Sequence, residues 1–592
     1  MKLNYKRTIL VGFAFFLICA FWQAYDSIVP MMLVNKFGLS QSISGIVMSI
    51  DNIIAVFLLP LFGALSDKTD TKHGRRTPYI VIGTIVAVLA FFGLTFADNA
   101  QLTAMQATEG ASFYEQVFEG DYEIVNAEYN SFTNKDVPEK YGVKDYASKI
   151  VKGKAYADLT EIEKEEVKSW YKSINAEYLQ DHSKPETVYA YVDGVYKTVE
   201  NIDGKYYYLD GANKVEIEKF DTRNAYTNLV TPAISGFALQ KTLQNPTPLI
   251  LFIALLLVTL LAMATFRSPA VALMPDVTVK PLRSQANAII NLLGTAGGML
   301  VLVLGIVFGT GKAFNQHMSY TWFVLAVCAL MVVGLIIFIL TVKEKLWADE
   351  MQKQSALITD VDADDPENLS GDKKLSKSEL TSLILILASV ALWFIAYNAV
   401  TSKYSLYATN VLHKDYNTTL LLAQAAAIVA YVPVGLLAKK IGRKTSILIG
   451  VTMLTVAFGG ATFMDANSPS IVVDVLFILA GLGWATINVN SFPMVVELAS
   501  GSNVGKYTGY YYTASMAAQI LTPILSGVIM DIVGNMSPLF YYATFFSALA
   551  FVTMLFVKHG DSEKLADKKV EEANGDNEIS AEEDEKQIKT EE

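Results

Sequence analysis

The stretch Gly63-Ala64-Leu65-Ser66-Asp67-Lys68-Thr69-Asp70-Thr71-Lys72-His73-Gly74-Arg75-Arg76 lies between two long apolar runs. A weaker echo, Gly435-Leu436-Leu437-Ala438-Lys439-Lys440-Ile441-Gly442-Arg443-Lys444, lies between two more. A short basic loop joining two membrane helices, present twice in one chain, points to a transporter built from two related halves. It also predicts orientation, because short Lys/Arg-rich loops stay in the cytoplasm.

Composition supports this outline. The chain has 592 residues, 52% of them hydrophobic and 18% charged, with a mean hydropathy of +0.34. This profile excludes an ordinary soluble protein. The net charge of −11 has its acidic side in water-exposed segments, so no basic nucleic-acid surface is expected. Cys19 and Cys328 are the two cysteines, both inside apolar runs. They read as small core residues and cannot staple an external domain. The first apolar run follows Lys2, Lys6 and Arg7 but is too long for a signal peptide, and it reads as a retained helix.

A helix needs about 20 apolar residues to cross a bilayer. Such runs fall near 9–34, 42–66, 77–97, 247–272, 284–310 and 320–342, and then near 381–408, 418–438, 445–464, 470–496, 507–533 and 538–557. The expected fold is therefore all-α and membrane-embedded, with twelve transmembrane helices in two six-helix halves. Residues 1–97 and 247–342 form the first half and 381–557 the second, joined by a polar cytoplasmic linker, 343–380, that reads as a flexible tether. An acidic tail, 558–592, follows. With the N-terminus inside, Lys72–Arg76, Lys280–Arg283, Lys439–Lys444, Lys506 and the tail all fall in the cytoplasm of a cell (plasma or inner) membrane.

Residues 98–246 interrupt the first half and face outside as a small α+β insert. Thr160-Glu161-Ile162-Glu163 has capping-box spacing and leads into a helix with Val167, Trp170, Ile174 and Tyr178 on its apolar face. Turns at Asp193-Gly194, Asp203-Gly204 and Asp210-Gly211 separate Tyr- and Val-rich strands, as in β-hairpins. The tyrosines pack the module's own core or stack on the sugar rings of an external glycan or partner.

Asp67 ends the second span, and Arg75 and Arg76 start the third. A carboxylate there can accept hydrogen bonds from arginine and from a helix N-terminus. The expectation is a latch made only while the inner faces of the halves are closed, with a simple orientation anchor as the plainer reading.

On these residues the chain resembles the major facilitator superfamily. The Gly63, Asp67, Gly74-Arg75-Arg76 run resembles that superfamily's signature loop in the lengthened form of sugar–cation symporters. Arg267-Ser268-Pro269-Ala270-Val271-Ala272-Leu273-Met274-Pro275-Asp276, with Arg283-Ser284-Gln285-Ala286-Asn287, is similar to the fourth-to-fifth-span segment of sucrose-transporter-like proton symporters. The stretch from Asp51 to Arg76 resembles the glycoside–pentoside–hexuronide symporters. The latter usually carry a second acid four residues after the one matching Asp51; here that position is Ala55, which argues against their sodium site and for protons. In the second-half loop Lys439 stands in the place of Asp67.

Ionisable residues within the bilayer are functional candidates by default. Asp26 and Asp51 are each about 12–14 Å below the outer surface at 1.5 Å per residue. They are the expected proton-coupling pair, with structural hydrogen bonding or pairing to a cation as the plainer alternative. Arg267 is placed near the inner end of the fourth span, with Asp276 and Glu497 as candidate partners in a second gate, to which Arg443 of the echo loop is added, and with plain snorkelling to the interface as the equal alternative. Sugar recognition needs amides and acids for hydroxyls and an aromatic plate. Gln23, Tyr25, Asn52, Tyr397, Asn398, Gln424, Trp484, Asn488 and Gln519 are the candidates, with Trp393, Asn287 and Asn291 nearby. Each could equally bind helix to helix.

The expected activity is proton-coupled uptake of a glycoside or a disaccharide such as sucrose or maltose by alternating access; the identity of the sugar is what the resemblance implies. Sodium coupling or export of another solute is one alternative. A nutrient sensor that uses 98–246 as a binding module is another. No nucleotide loop, zinc spacing or nucleophile elbow is present, so neither an enzyme nor a cofactor is expected.

Overall fold

The computed structural model describes residues 3–106, 152–154, 156–167, 188–192, 195–202, 205–210, 213–217, 238–239, 241–279, 282–312, 318–362, 375–465, 468–498 and 504–560. Thirteen α-helices of at least 18 residues run through them. In chain order these are α1 (Tyr5–Met31), α2 (Gln41–Asp67), α3 (Thr77–Gln106), α4 (Thr247–Val277), α5 (Arg283–Phe308), α6 (Thr321–Thr341), α7 (Glu344–Asp362), α8 (Lys377–Asn410), α9 (Tyr416–Ile441), α10 (Arg443–Ala461), α11 (Ser470–Val496), α12 (Val504–Val533) and α13 (Pro538–Leu555). Among the described residues, eleven helices are long and apolar enough to cross a membrane. The segment expected as the eighth span is α9, a continuous 26-residue helix packed among them.

Short polar side chains start several of these helices by capping free N–H groups. Asn4 accepts from Arg7 at α1, Ser40 from Ile43 at α2, and Asp415 from Asn417 at α9. Ser376 and Glu379 form a complete capping box at α8. The helices form two groups, α1–α6 and α8–α13, around a core of buried Phe, Leu, Ile, Val and Ala with Trp393, Tyr25, Tyr320 and Tyr404 at its centre.

The bundle has a loop end, carrying residues 68–76, and a far end. At the far end the groups are bonded together. Asn410 donates to Asn35 (2.9 Å), the Thr310 and Tyr416 hydroxyls meet at 2.9 Å, and Asn417 donates to Thr310 (3.1 Å). Gly45 of α2 lies so close to α12 that an added Cβ would sit 2.1 Å from the Pro523 carbonyl oxygen, so only glycine permits this approach. Among the described residues, no hydrogen bond joins α1–α6 to α8–α13 at the loop end.

The linker begins as a docked helix, where the sequence reading expected a tether. Glu344, at the start of α7, is buried and accepts from the backbone N–H groups of Arg75 (2.7 Å), Arg76 (2.8 Å) and Thr77 (2.7 Å) and from the Thr77 hydroxyl (2.7 Å). One carboxylate thus satisfies the free donors at the start of α3, where the helix dipole also favours it. Arg7 of α1 pairs with Glu350 and lies over the Trp347 ring at 5.3 Å. These polar contacts outweigh the linker's low hydrophobicity.

Within the insert, Thr160 and Glu163 cap each other ahead of the helical residues 161–167, and the Thr160 N–H and hydroxyl hold the Glu163 carboxyl below its ordinary range. Strands Val188–Val192, Val195–Ile202, Lys205–Asp210 and Asn213–Ile217 form an antiparallel meander. Its register pairs Tyr191 with Tyr196 and Val199 with Tyr208. Trp170, Ile174, Tyr178, Asp193-Gly194, Asp203-Gly204, Gly211 and the tail from Asp561 lie outside the described residues.

Candidate functional site

Five helices meet around a cavity of about 180 Å³ between the two groups. From α1 come Trp22 and Asp26, four residues apart and so on one face. From α2 come Met48, Asp51 and Asn52; from α4, Arg267; from α8, Asn398, Thr401 and Ser402; from α12, Gln519 and Pro523. Asp51 stands ten residues along α2 from Gln41, which is about 15 Å from the far end. The cavity therefore sits at mid-depth.

Its electrostatics are unusual for a membrane interior. Two carboxylates and a guanidinium share the lining, and among the described residues none of the three has an ion-pair partner within 4.0 Å. Asn52 donates to the Asp51 carboxylate at 2.9 Å, and the Arg267 guanidinium lies over the Trp22 ring at 5.5 Å. Trp22 Nε1 and Asn398 Nδ2 are buried donors with no protein acceptor. Buried polar groups left open in this way are suited to a polar ligand that completes them.

Of the residues singled out from sequence, Asp26, Asp51, Asn52, Asn398 and Gln519 come together here. The others occupy different surroundings. Tyr25 is buried in α1 beside Phe21 and Trp22. Gln424 of α9 donates to Gln23 of α1 at 2.6 Å, a bond between the groups, and Gln424 Oε1 is left without a donor. Tyr397 and Trp484 stack on each other, 3.6 Å apart and parallel within 1°, and Asn488 is half-buried on the same helix as Trp484. Trp393 is fully buried in the core, and Asn291 donates to the Asn287 carbonyl at 2.8 Å.

Arg267 is a correction. The sequence reading placed it near the inner end with Asp276 or Glu497 as partner. Instead α4 continues to Val277, ten residues past Arg267, which sets the side chain about 15 Å inward. Glu497 pairs with Arg443 inside the second group. Asp276 takes Arg75 (2.7 Å) and Arg76 (2.7 Å) inside the first.

The loop-end latch also differs from expectation. Arg76 binds Asp276, Asp67, Ser66 and the Gly63 carbonyl, all within the first group. Burial pulls the Arg76 guanidinium down, but Asp276 and Asp67 hold it above its ordinary value. Gly74 turns at φ +107°, and an added Cβ would meet Glu344 Cδ at 2.3 Å. These contacts brace α2, α3, α4 and α7 and involve no residue of α8–α13. Contacts missed from sequence lie at the far end, where Asp531 of α12 accepts from the N–H groups of Gln41 (2.9 Å) and Ser42 (2.8 Å), capping α2 from the other group. Trp22, Thr401 and Ser402 were also missed, although their spacing of three or four residues from Asp26 and Asn398 carries the signal.

A helical membrane protein of two packed groups with a charged cavity between them is the class that this architecture defines. The Major Facilitator Superfamily model matches residues 227–499 and 417–587, and the MFS/sugar transport protein model matches 10–114. The chain belongs to the Major Facilitator Superfamily. It is 32% identical over 89 residues to the Escherichia coli (strain K12) protein described as putative glycoside/cation symporter YagG; the match spans 14% of this chain and 19% of that one. Its fold is similar to the inward open conformation of the xylose transporter XylE from E. coli (TM-score 0.54, 10% identity, 94% of this chain and 97% of that one). It is likewise similar to a D-xylose-proton symporter (TM-score 0.52, 11% identity, 94% and 99%).

Proposed function

We propose that the chain is a secondary active symporter that takes up a glycoside or related sugar with one cation by alternating access. The observation that carries this reading is the mid-depth cavity holding Asp26, Asp51 and Arg267 without ion-pair partners among the described residues. An uncompensated charge in a bilayer interior is expensive. Two acids against one guanidinium leave a single excess negative charge, which one cation neutralises. Asp51 and Asp26 are the coupling groups, and Arg267 is the fixed counter-charge. The amides Asn52, Asn398 and Gln519 pair with sugar hydroxyls, and Trp22 supplies the aromatic face and an open N–H.

The printed description of the partial relative, a glycoside/cation symporter, supports the substrate class. A proton is the proposed cation because Ala55 stands where the resembling family carries its second acid, and the second acid here comes from α1. At about 180 Å³ the cavity falls below the roughly 300 Å³ of typical ligand pockets. It suits one sugar ring, and the second ring of a disaccharide such as sucrose or maltose extends toward the loop end. The short Lys/Arg-rich loops at that end support a cytoplasmic location for it and for both termini in a cell membrane, and on that reading this conformation is inward-facing.

Proteoliposome uptake of a labelled sugar panel tests the reading, under an imposed proton gradient with and without sodium, in wild type and Asp51→Asn. Loss of accumulation with exchange retained supports Asp51 as the coupling group. Accumulation that survives Asp51→Asn removes it, and accumulation that follows sodium alone replaces the proton.

A further inference from the structure

At the loop end, outside the central cavity, α3, α6 and α7 surround a groove of about 770 Å³. Its wall and its rim differ in kind. Ile82 of α3 and Leu340 of α6 form the wall and are 60% and 76% exposed. Each lies within about two turns of its helix end, and the helices are long and apolar enough to span a membrane, so the wall is at the depth of lipid acyl chains near the membrane surface. Lys72, Lys343 and Lys345 form the rim, all exposed, beyond the ends of α3 and α6 where headgroups lie. Leu346 of α7, 51% exposed, extends the apolar side along the surface.

We propose that this groove binds one anionic phospholipid, its phosphate held by Lys72, Lys343 and Lys345 and its acyl chains laid along Ile82 and Leu340. Charge complementarity selects this occupant. The acids nearby do not cancel the rim: Glu344 is buried and fully used by the start of α3, and among the described residues Asp70 engages only Lys345, at 3.0 Å. Asp349 also lines the groove, leaving the rim with an excess of positive charge. A neutral apolar molecule would satisfy the wall and leave the charges of Lys72 and Lys343 unmatched, while a soluble anion would leave Ile82 and Leu340 uncovered. Because α7 is docked through Glu344 onto the start of α3, the site exists only while the linker helix is in place. The inference does not depend on what the central cavity carries.

Native mass spectrometry of the full chain, released from nanodiscs of equal phosphatidylglycerol and phosphatidylcholine, tests it. The wild type should retain one phosphatidylglycerol in preference to phosphatidylcholine. Lys72→Gln/Lys343→Gln/Lys345→Gln should lose that preference by at least about tenfold, given roughly fivefold per lysine at an anionic surface. Lys312→Gln, which removes a charge at the far end, should retain it. Equal retention of the two lipids by the wild type overturns the proposal, as does full phosphatidylglycerol retention by the triple variant. Displacement by millimolar inorganic phosphate overturns the lipid assignment. A circular dichroism spectrum of the triple variant matching the wild type excludes misfolding as the cause of lost binding.

Discussion

The Lys403 ammonium crosses from α8 to α2 and donates to both the backbone carbonyl (3.0 Å) and the side-chain oxygen (3.1 Å) of Gln41. Lys403 is buried, and Gln41 also donates its N–H to Asp531 of α12. One residue at the start of α2 is therefore held by two helices of the opposite group, which closes the far end. Hydrogen bonds to charged groups contribute about 1.5–3 kcal/mol each. Replacing Lys403 by methionine should shift the population toward a far-end-open state by about tenfold or more. Spin labels at Ile43 and Ile532 report this by electron–electron distance measurement, with a longer-distance population expected to grow. An unchanged distribution would show that the closure does not need Lys403.

Gly45→Ala acts on the same closure by sterics. The new methyl would fall 2.1 Å from a backbone carbonyl of α12, which cannot rotate away. Overpacking of this kind typically costs about 1–3 kcal/mol, here against the closed far end alone. A cysteine at Ser402, in the cavity lining, should react with a membrane-impermeant maleimide from the far side at least about tenfold faster in Gly45→Ala than in wild type. Equal rates would mean that the helices reposition without opening the chamber.

Arg267→Gln removes what is, among the described residues, the only cation lining the cavity with Asp26 and Asp51. Two acids then need two cations for neutrality. If coupling follows charge balance, the dependence of uptake on the coupling cation should steepen from a Hill coefficient of about 1 to about 2, with uptake lowered at every cation concentration. A variant that transports with wild-type slope would refute the counter-charge role.

Glu344→Ala should destabilise the loop end by about 1–2 kcal/mol, as loss of a helix N-cap does. Gly74→Ala should act in the same direction, since its Cβ would collide with Glu344 and its φ of +107° is unfavourable for alanine. A detergent thermal-shift assay reads both as a lowered midpoint. A wild-type midpoint in Glu344→Ala would show that α7 is held by the Arg7 contacts instead.

The membrane class, the division into halves and most helix positions were legible because bilayer insertion depends on composition over about 20 residues, a property local to each segment. Capping at Thr160–Glu163 was legible for the same reason: its partners are three residues apart. Membership of the cavity was partly legible. Asp26, Asp51 and Asn52 stand out because charged and amide groups are costly in apolar runs. Tyr397 and Trp484 have the right chemistry, yet they spend their faces on each other.

The sequence by itself determined which residues cross the membrane and which carry charge within it, since both follow from the transfer free energy of each side chain. Only the tertiary structure decided who meets whom. The length of α4 moved Arg267 to the chamber, α7 folded back to bring Glu344 onto the start of α3, and the approach of α2 to α12 let Lys403 and Asp531 share Gln41. Those pairings join residues hundreds of positions apart, and helix packing in three dimensions sets them where no local pattern records it.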